Sequence, residues 1–257
     1  MSKINHAFSG GKAAVTFLTC GDPNLETTAA AIRAAVENGA DLIELGIPFS
    51  DPTAEGPVIQ EASLRALKNG VTTDRVFDFV RDIRREVSVP MVFVTYANVV
   101  YSYGAERFFT VCRDLDVGGL ILPDLPFEEK EEFLSFSHTY GVALISTITL
   151  KSAGRIPMIA GEAEGFIHVL ANGGGSRTCE ETCAALEQVL RTIREHTDVP
   201  CAVEYDFGEP ANASCAAKDA DGVISGSGLV KILAEHGEAA PSFIGTYVNA
   251  FKNAINV

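Results

Sequence analysis

Short apolar runs rich in β-branched residues alternate with longer amphipathic stretches from one end of the sequence to the other. The runs fall at Ala14–Thr19, Asp41–Leu45, Met91–Tyr96, Gly119–Leu122, Ala143–Thr147, Gly165–Leu170, Cys201–Tyr205 and Gly222–Ser225, and predict eight strands. "MVFVTY" and "GLILP" are apolar almost without interruption, as suits strands covered on both faces of a parallel sheet. Between the strands, apolar positions recur at helical spacing. Leu25–Asn38 is opened by Pro23 and Asn24 and closed by Gly39. Asp74–Glu86 gathers Val76, Phe77, Val80 and Ile83 on one face. Ala105–Leu115, Glu128–Tyr140, Glu180–His196 and Pro241–Ala254 follow the same pattern. The repeating object is a βα unit, and no Pro/Gly/Ser-rich linker interrupts it. Eight such units predict a closed (β/α)8 barrel, the TIM-barrel architecture, with residues 1–257 as one domain. The rival is an open doubly wound sheet. It wants GxGxxG after its first strand, and that strand ends here in "TCGDPN".

Composition narrows the partners. A net charge of −14 repels nucleic acid and anionic membrane surfaces, so an anionic small molecule would have to be held by local backbone amides. No run of 18 apolar residues is present, and Met1–Lys12 lacks the apolar core of a secretion signal, which points to the cytoplasm. The six cysteines (Cys20, Cys112, Cys179, Cys183, Cys201, Cys215) form no CxxC pair and are read as reduced thiols, with no metal site expected.

In a barrel of this kind the chemistry sits on the loops after the strands. Glu44 lies inside the apolar second strand, "LIELGI". A carboxylate there is costly unless it is paired or its pKa is raised, and a raised pKa is what a general acid–base group needs. A structural, salt-bridged glutamate is the equal alternative. Glu55 follows in a loop punctuated by Pro48, Pro52, Gly56 and Pro57; with Asp51 it forms either a lid carrying a second carboxylate or a solvated acidic loop. After the eighth strand, Gly226, Ser227 and Gly228 open an apolar helix, either an anion cradle of free amides or an ordinary turn. The sixth loop, "ANGGGSRTCEE", offers Ser176 and Arg177 to a phosphate, or is a linker to a helix capped by Thr178. His168 reads as a packed core residue. Tyr96, Asn98 and Tyr101, after the third strand, either line a pocket or cover the barrel mouth.

The segments "FLTCGDP" (17–23), "ELGIPFSDPTAEGPVIQ" (44–60), "TYANVVYSYG" (95–104), "GLILPDLPFEE" (119–129), "EAEGF" (162–166) and "ISGSGLVKI" (224–232) resemble the tryptophan synthase α subunit along nearly the whole sequence. That resemblance implies retro-aldol cleavage of indole-3-glycerol phosphate to indole and glyceraldehyde 3-phosphate, without a cofactor. It implies that Glu44 protonates the indole ring at C3 and that Glu55 accepts from the indole N–H, where the family usually has Asp. It puts the phosphate on the amides of Gly226 and Ser227, near Ser176 and Arg177, and places Phe17, Tyr96 and Tyr205 around the pocket. It also implies docking on a pyridoxal-phosphate β subunit in an αββα heterotetramer, with Asp51, Pro52 and Asn98 facing that partner.

The phosphate side departs from the family pattern. "GGSR" (174–177) stands where a GVTG segment is expected, and "VEYDFGEP" (203–210) where the family has a GFGIS-like turn. Glu204 and Asp206 fall at glycine positions of that pattern, and each carboxylate about 4 Å from a phosphate charge would cost roughly 4 kcal/mol at an effective dielectric of 20. Arg177 or a shift bringing Gly208 into the site would relieve this. Two other readings therefore stand beside the family reaction: a non-catalytic partner that modulates a β subunit, and an enzyme for a different indole-like substrate.

Overall fold

The computed structural model describes residues 3–171, 179–204, 210 and 213–256. Its strands are β1 (Ala13–Thr19), β2 (Leu42–Gly46), β3 (Met91–Val94), β4 (Gly119–Ile121), β5 (Ala143–Leu144), β6 (Ser146–Thr149), β7 (Ile167–Leu170), β8 (Cys201–Glu204) and β9 (Gly222–Ser225). All pair in parallel, in the order β5-β4-β3-β2-β1-β9-β8-β7-β6. The two ends of that row are consecutive in sequence, parted only by Ile145, whose amide still donates to the Leu120 carbonyl. The row therefore curls into a barrel of eight staves, the fifth broken in two, as the eight apolar runs predict.

The predicted helices are present with small shifts at their ends: α2 (Leu25–Glu37), α4 (Thr73–Ile83), α6 (Ala105–Asp114), α7 (Glu131–Tyr140), α9 (Cys179–Arg194) and α12 (Ala240–Ile255). Asn24 Oδ1 caps α2 by accepting from the Thr27 amide, and the Thr72 hydroxyl caps α4 in the same way. The apolar helix expected after Gly226 is α11 (Ser227–His236), and the structure adds α1 (Lys3–Ala7), α3 (Pro57–Lys68), α5 (Ala97–Tyr103), α8 (Ile156–Gly161) and α10 (Ala213–Ala217). The α3 helix starts with Pro57 at its first position, where a missing N–H is harmless, and buries small residues such as Ala62, Ser63 and Ala66.

Outward-facing strand residues pack under the helices, while Val15, Leu42, Val92, Phe166, Ala202 and Ile224 fill the barrel interior. Ile4 of α1 closes its lower end against Gly118, Gly119 and Gly165. At that end two aspartates tie neighbouring staves together. Asp41 accepts from the Ala14 amide (2.7 Å) and from Lys252 Nζ (2.7 Å). Asp221 accepts from the Cys201 amide (2.7 Å) and from Arg194. Asp41 thus ends up just outside the strand predicted to start with it.

The reading of all six cysteines as thiols is corrected for one pair. Cys183 on α9 and Cys215 on α10 form a disulfide, with Cα atoms 6.3 Å apart. The two helices pack side by side, a proximity that a separation of 32 residues conceals. Cys20, Cys112 and Cys201 are free and buried, and the Cys179 side chain lies outside the described residues.

Candidate active site

The upper layer of the barrel interior is where the apolar filling stops. Directly above Leu42, Phe166 and Ala202, each two residues further along its stave, stand Glu44, His168 and Glu204. Alternation along a strand makes this unavoidable: if Leu42 points inward, so does Glu44. These three side chains, with Phe17 and Glu55, line a cavity of about 400 Å³. Leu125, Phe127, Leu134 and Ile159 give the same cavity an apolar wall. An apolar chamber with a few convergent polar groups is the usual form of a small-molecule site. Gly46, two residues beyond Glu44, leaves room for the Phe17 ring; a Cβ there would lie 2.7 Å from Phe17 Cζ.

Glu44 is 1% exposed, and its Oε1 has no hydrogen-bond partner among the described residues. Burial pushes its carboxyl up to about 7; the Glu204 and Glu55 charges add to the rise and His168 opposes it. Glu55 is likewise pushed up to about 7, first by burial and then by Glu204. Its loop is held from two sides. The Ala54 amide donates to Tyr96 Oη (3.0 Å), and Gln60 Nε2 donates to the Glu55 carbonyl (2.8 Å). Tyr96 thus serves as the peg of this loop, and it is Phe17 that lines the cavity.

His168 is buried, and its Nε2 lies 2.8 Å from Glu204 Oε2. Burial alone would lower the imidazole pKa, but the bond to Glu204 and the charges of Glu44, Glu204 and Glu55 outweigh it and raise it. The reading of His168 as a packed core residue is therefore incomplete, since its ring lines the cavity. The other oxygen of Glu204 faces Gly226, where a Cβ would come within 3.3 Å of it. Gly226 caps α11 and Ser227 begins it, so the free amides of that helix open beside the cavity. Asp51 and Asn98 are exposed at the rim and Pro52 is half-buried. Ser176, Arg177, Tyr205, Asp206 and Gly208 lie outside the described residues. Among the described residues no group of three or more His, Cys, Asp or Glu is placed to hold a metal ion, and no helix is long and apolar enough to cross a membrane.

Fold and cavity together define a class: a parallel barrel with buried carboxyls beside an apolar chamber at the C-terminal ends of its strands, where barrels of this kind hold a small-molecule site. Known proteins make it specific. The family model described as tryptophan synthase alpha chain matches residues 5–254. The sequence is 41% identical over 256 residues to the tryptophan synthase alpha chain of Lacticaseibacillus casei, covering 100% of this protein and 96% of that one. It is 40% identical to that of Lactiplantibacillus plantarum, covering 100% and 97%. Among solved structures, the alpha subunit from Legionella pneumophila superposes with a TM-score of 0.90 at 30% identity, over 99% of this protein and 98% of that one. A mutant alpha subunit from Pyrococcus furiosus gives 0.86 at 31% identity, over 95% and 98%. The protein belongs to the tryptophan synthase alpha chain family.

Proposed function

We propose that Glu44 and Glu55 divide the proton chemistry of the family's reaction in this protein. That reaction, which the protein performs as a carbon–carbon lyase of tryptophan biosynthesis, is the retro-aldol cleavage of indole-3-glycerol phosphate into indole and glyceraldehyde 3-phosphate. The observation that carries the assignment is the burial of Glu44, which keeps its carboxyl protonated up to about pH 7 at the cavity wall. A carboxylic acid there delivers a proton to C3 of the indole. The ring then carries a positive charge, and cleavage of the bond between C3 and the glycerol phosphate arm returns electrons to it. Glu55 as carboxylate accepts from the indole N–H and steadies that charge. The charge of Glu55 raises Glu44, so ionisation of one favours protonation of the other, and the acid and acceptor roles separate naturally.

The apolar wall of Leu125, Phe127 and Ile159 receives the indole. The phosphate rests on the amides of Gly226 and Ser227 at the start of α11; the resemblance assigns Ser176 and Arg177, which lie outside the described residues, to the same phosphate. No cofactor takes part. The rim formed by the exposed Asp51 and Asn98 and the half-buried Pro52 is the docking surface for a tryptophan synthase β subunit, in an αββα complex in the cytoplasm. The buried Glu44 also weighs against a purely non-catalytic partner, because a docking scaffold gains nothing from a carboxyl held at such cost. The test is release of indole from indole-3-glycerol phosphate by the purified protein, with and without β subunit, beside E44Q. Turnover that disappears in a folded E44Q supports the assignment, and E44Q turnover equal to wild type overturns it.

A further inference from the structure

In indole-3-glycerol phosphate, the arm between ring and phosphate carries two hydroxyls. The apolar wall takes the ring and the start of α11 takes the phosphate, which leaves the arm to be held. Glu204 stands beside the phosphate end. On β8 it is level with Ile224 of β9, two residues before Gly226. Its Oε1 would lie 3.3 Å from a Cβ placed on Gly226. A substrate whose phosphate reaches Gly226 therefore brings its arm past this oxygen.

The two oxygens of Glu204 differ in what they meet. Oε2 is taken by His168 Nε2 at 2.8 Å. Oε1 has no hydrogen-bond partner among the described residues and, unlike Glu44 Oε1, is not sealed from the chamber. The Glu204 side chain is 23% exposed against 7% for His168, so of this pair it is chiefly the carboxylate that the chamber meets. A carboxylate only accepts hydrogen bonds. It repels a phosphate dianion, which offers no donor, and it attracts a hydroxyl, which does. The bond to His168 fixes the carboxylate so that Oε1 is the oxygen turned toward Gly226.

We propose that Glu204 sets specificity for a hydroxylated arm: Oε1 accepts a hydrogen bond from a hydroxyl of the glycerol chain, and its charge disfavours a phosphate ligand whose arm brings no donor. This rests on the retro-aldol reading of the site, which supplies the arm. No bond is made or broken at Glu204; it selects and positions the substrate that Glu44 protonates. A site built to bond a hydroxyl rejects the analogue that lacks it, because the polar group of the site is left unpaired. The contact also gives a reason for a carboxylate to stand where it would otherwise only repel phosphate.

The experiment compares two ligands with the same ring and phosphate: indole-3-glycerol phosphate, and indole-3-propyl phosphate, which has neither hydroxyl. Calorimetry gives both Kd values in E44Q, where the substrate is not consumed, and in E44Q/E204A and E44Q/E204Q, with near-ultraviolet circular dichroism as the check on folding. The ratio of the two Kd values at one pH reads the preference for the hydroxylated arm. E204A is expected to lower that preference about tenfold or more, the scale of a hydrogen bond to a charged group. Binding of the glycerol compound is expected to weaken and binding of the propyl compound to tighten. E204Q, which keeps the size and loses the charge, is expected to lower the preference by less. A merely structural role would move both Kd values together, so an unchanged ratio in a folded E204A variant overturns the proposal. If the E204A variant does not fold, E204Q decides: a lowered ratio supports the proposal and an unchanged ratio overturns it. Indole release by the wild type tests the retro-aldol reading separately; a wild type that releases none overturns that reading, while the Kd ratio still decides on Glu204.

Discussion

The two ends of the barrel use carboxylates in opposite ways. At the closed end, Asp41 and Asp221 each accept from the amide of a neighbouring strand and each meet a cation, Lys252 or Arg194. At the open end, Glu44, Glu55 and Glu204 have no lysine or arginine partner among the described residues, and Glu204 meets only His168. The first arrangement satisfies every charge it creates and stabilises the strand pairing. The second buries Glu44 and Glu55 where ionisation is costly, which pushes both carboxyls up to about 7. Stability and chemistry are thus separated along one axis, the division expected of this architecture.

Three expected outcomes sharpen that contrast. The largest effect is on turnover. E44Q keeps the shape of the side chain and removes its proton chemistry, so kcat is expected to fall about 1,000-fold, equivalent to about 4 kcal/mol; steady-state indole release measures it.

Next is a gain in stability from the same substitution. Glu44 binds its proton more tightly folded (about 7) than at its ordinary value of 4.5, so its contribution to stability is complete below pH 4.5 and declines as pH rises through 7. Above pH 7 the buried carboxylate costs about 3 kcal/mol, and E44Q removes that cost. Denaturant unfolding at pH 8 is expected to show E44Q more stable than wild type, with the advantage shrinking as pH falls toward 4.5. His168, raised in the folded state, shifts wild-type stability in the same direction, favouring lower pH.

The smallest effect comes from the closed end. D41A strips the Ala14 amide and Lys252 of their acceptor and is expected to cost about 2 kcal/mol in unfolding free energy, with kcat unchanged. Loss of activity in a folded D41A would break the separation of the two ends.

Much of this was legible in the sequence. All eight staves follow from apolar runs, because a parallel sheet buried on both faces leaves no other pattern. What escaped depends on contacts. The break in the fifth stave at Ile145 has no local signal. The α3 helix hides behind a Pro/Gly-rich loop, although Gly56-Pro57 marks its start. Glu44 stood out as a carboxylate inside an apolar strand. The same rule applies to His168 in "GFIHVL" and to Glu204 in "CAVEY", yet neither reveals its partner. Their meeting depends on the register of β7 against β8 across 36 residues of sequence. Glu204, which read as a liability beside a phosphate, is engaged by a histidine. Tyr96, expected at the pocket, instead pegs the Glu55 loop, since its hydroxyl reaches the Ala54 amide.

The central claim is that Glu44 carries a proton near neutral pH because of where the barrel puts it. Carbon-13 NMR of protein labelled at the glutamate carboxyls, titrated from pH 4 to 9 beside E44Q, reads this directly. The account predicts two carboxyl resonances that titrate near 7, those of Glu44 and Glu55, one of which is missing from E44Q. If the resonance lost in E44Q titrates near 4.5 instead, Glu44 is ionised at neutral pH, and the acid role assigned to it is wrong.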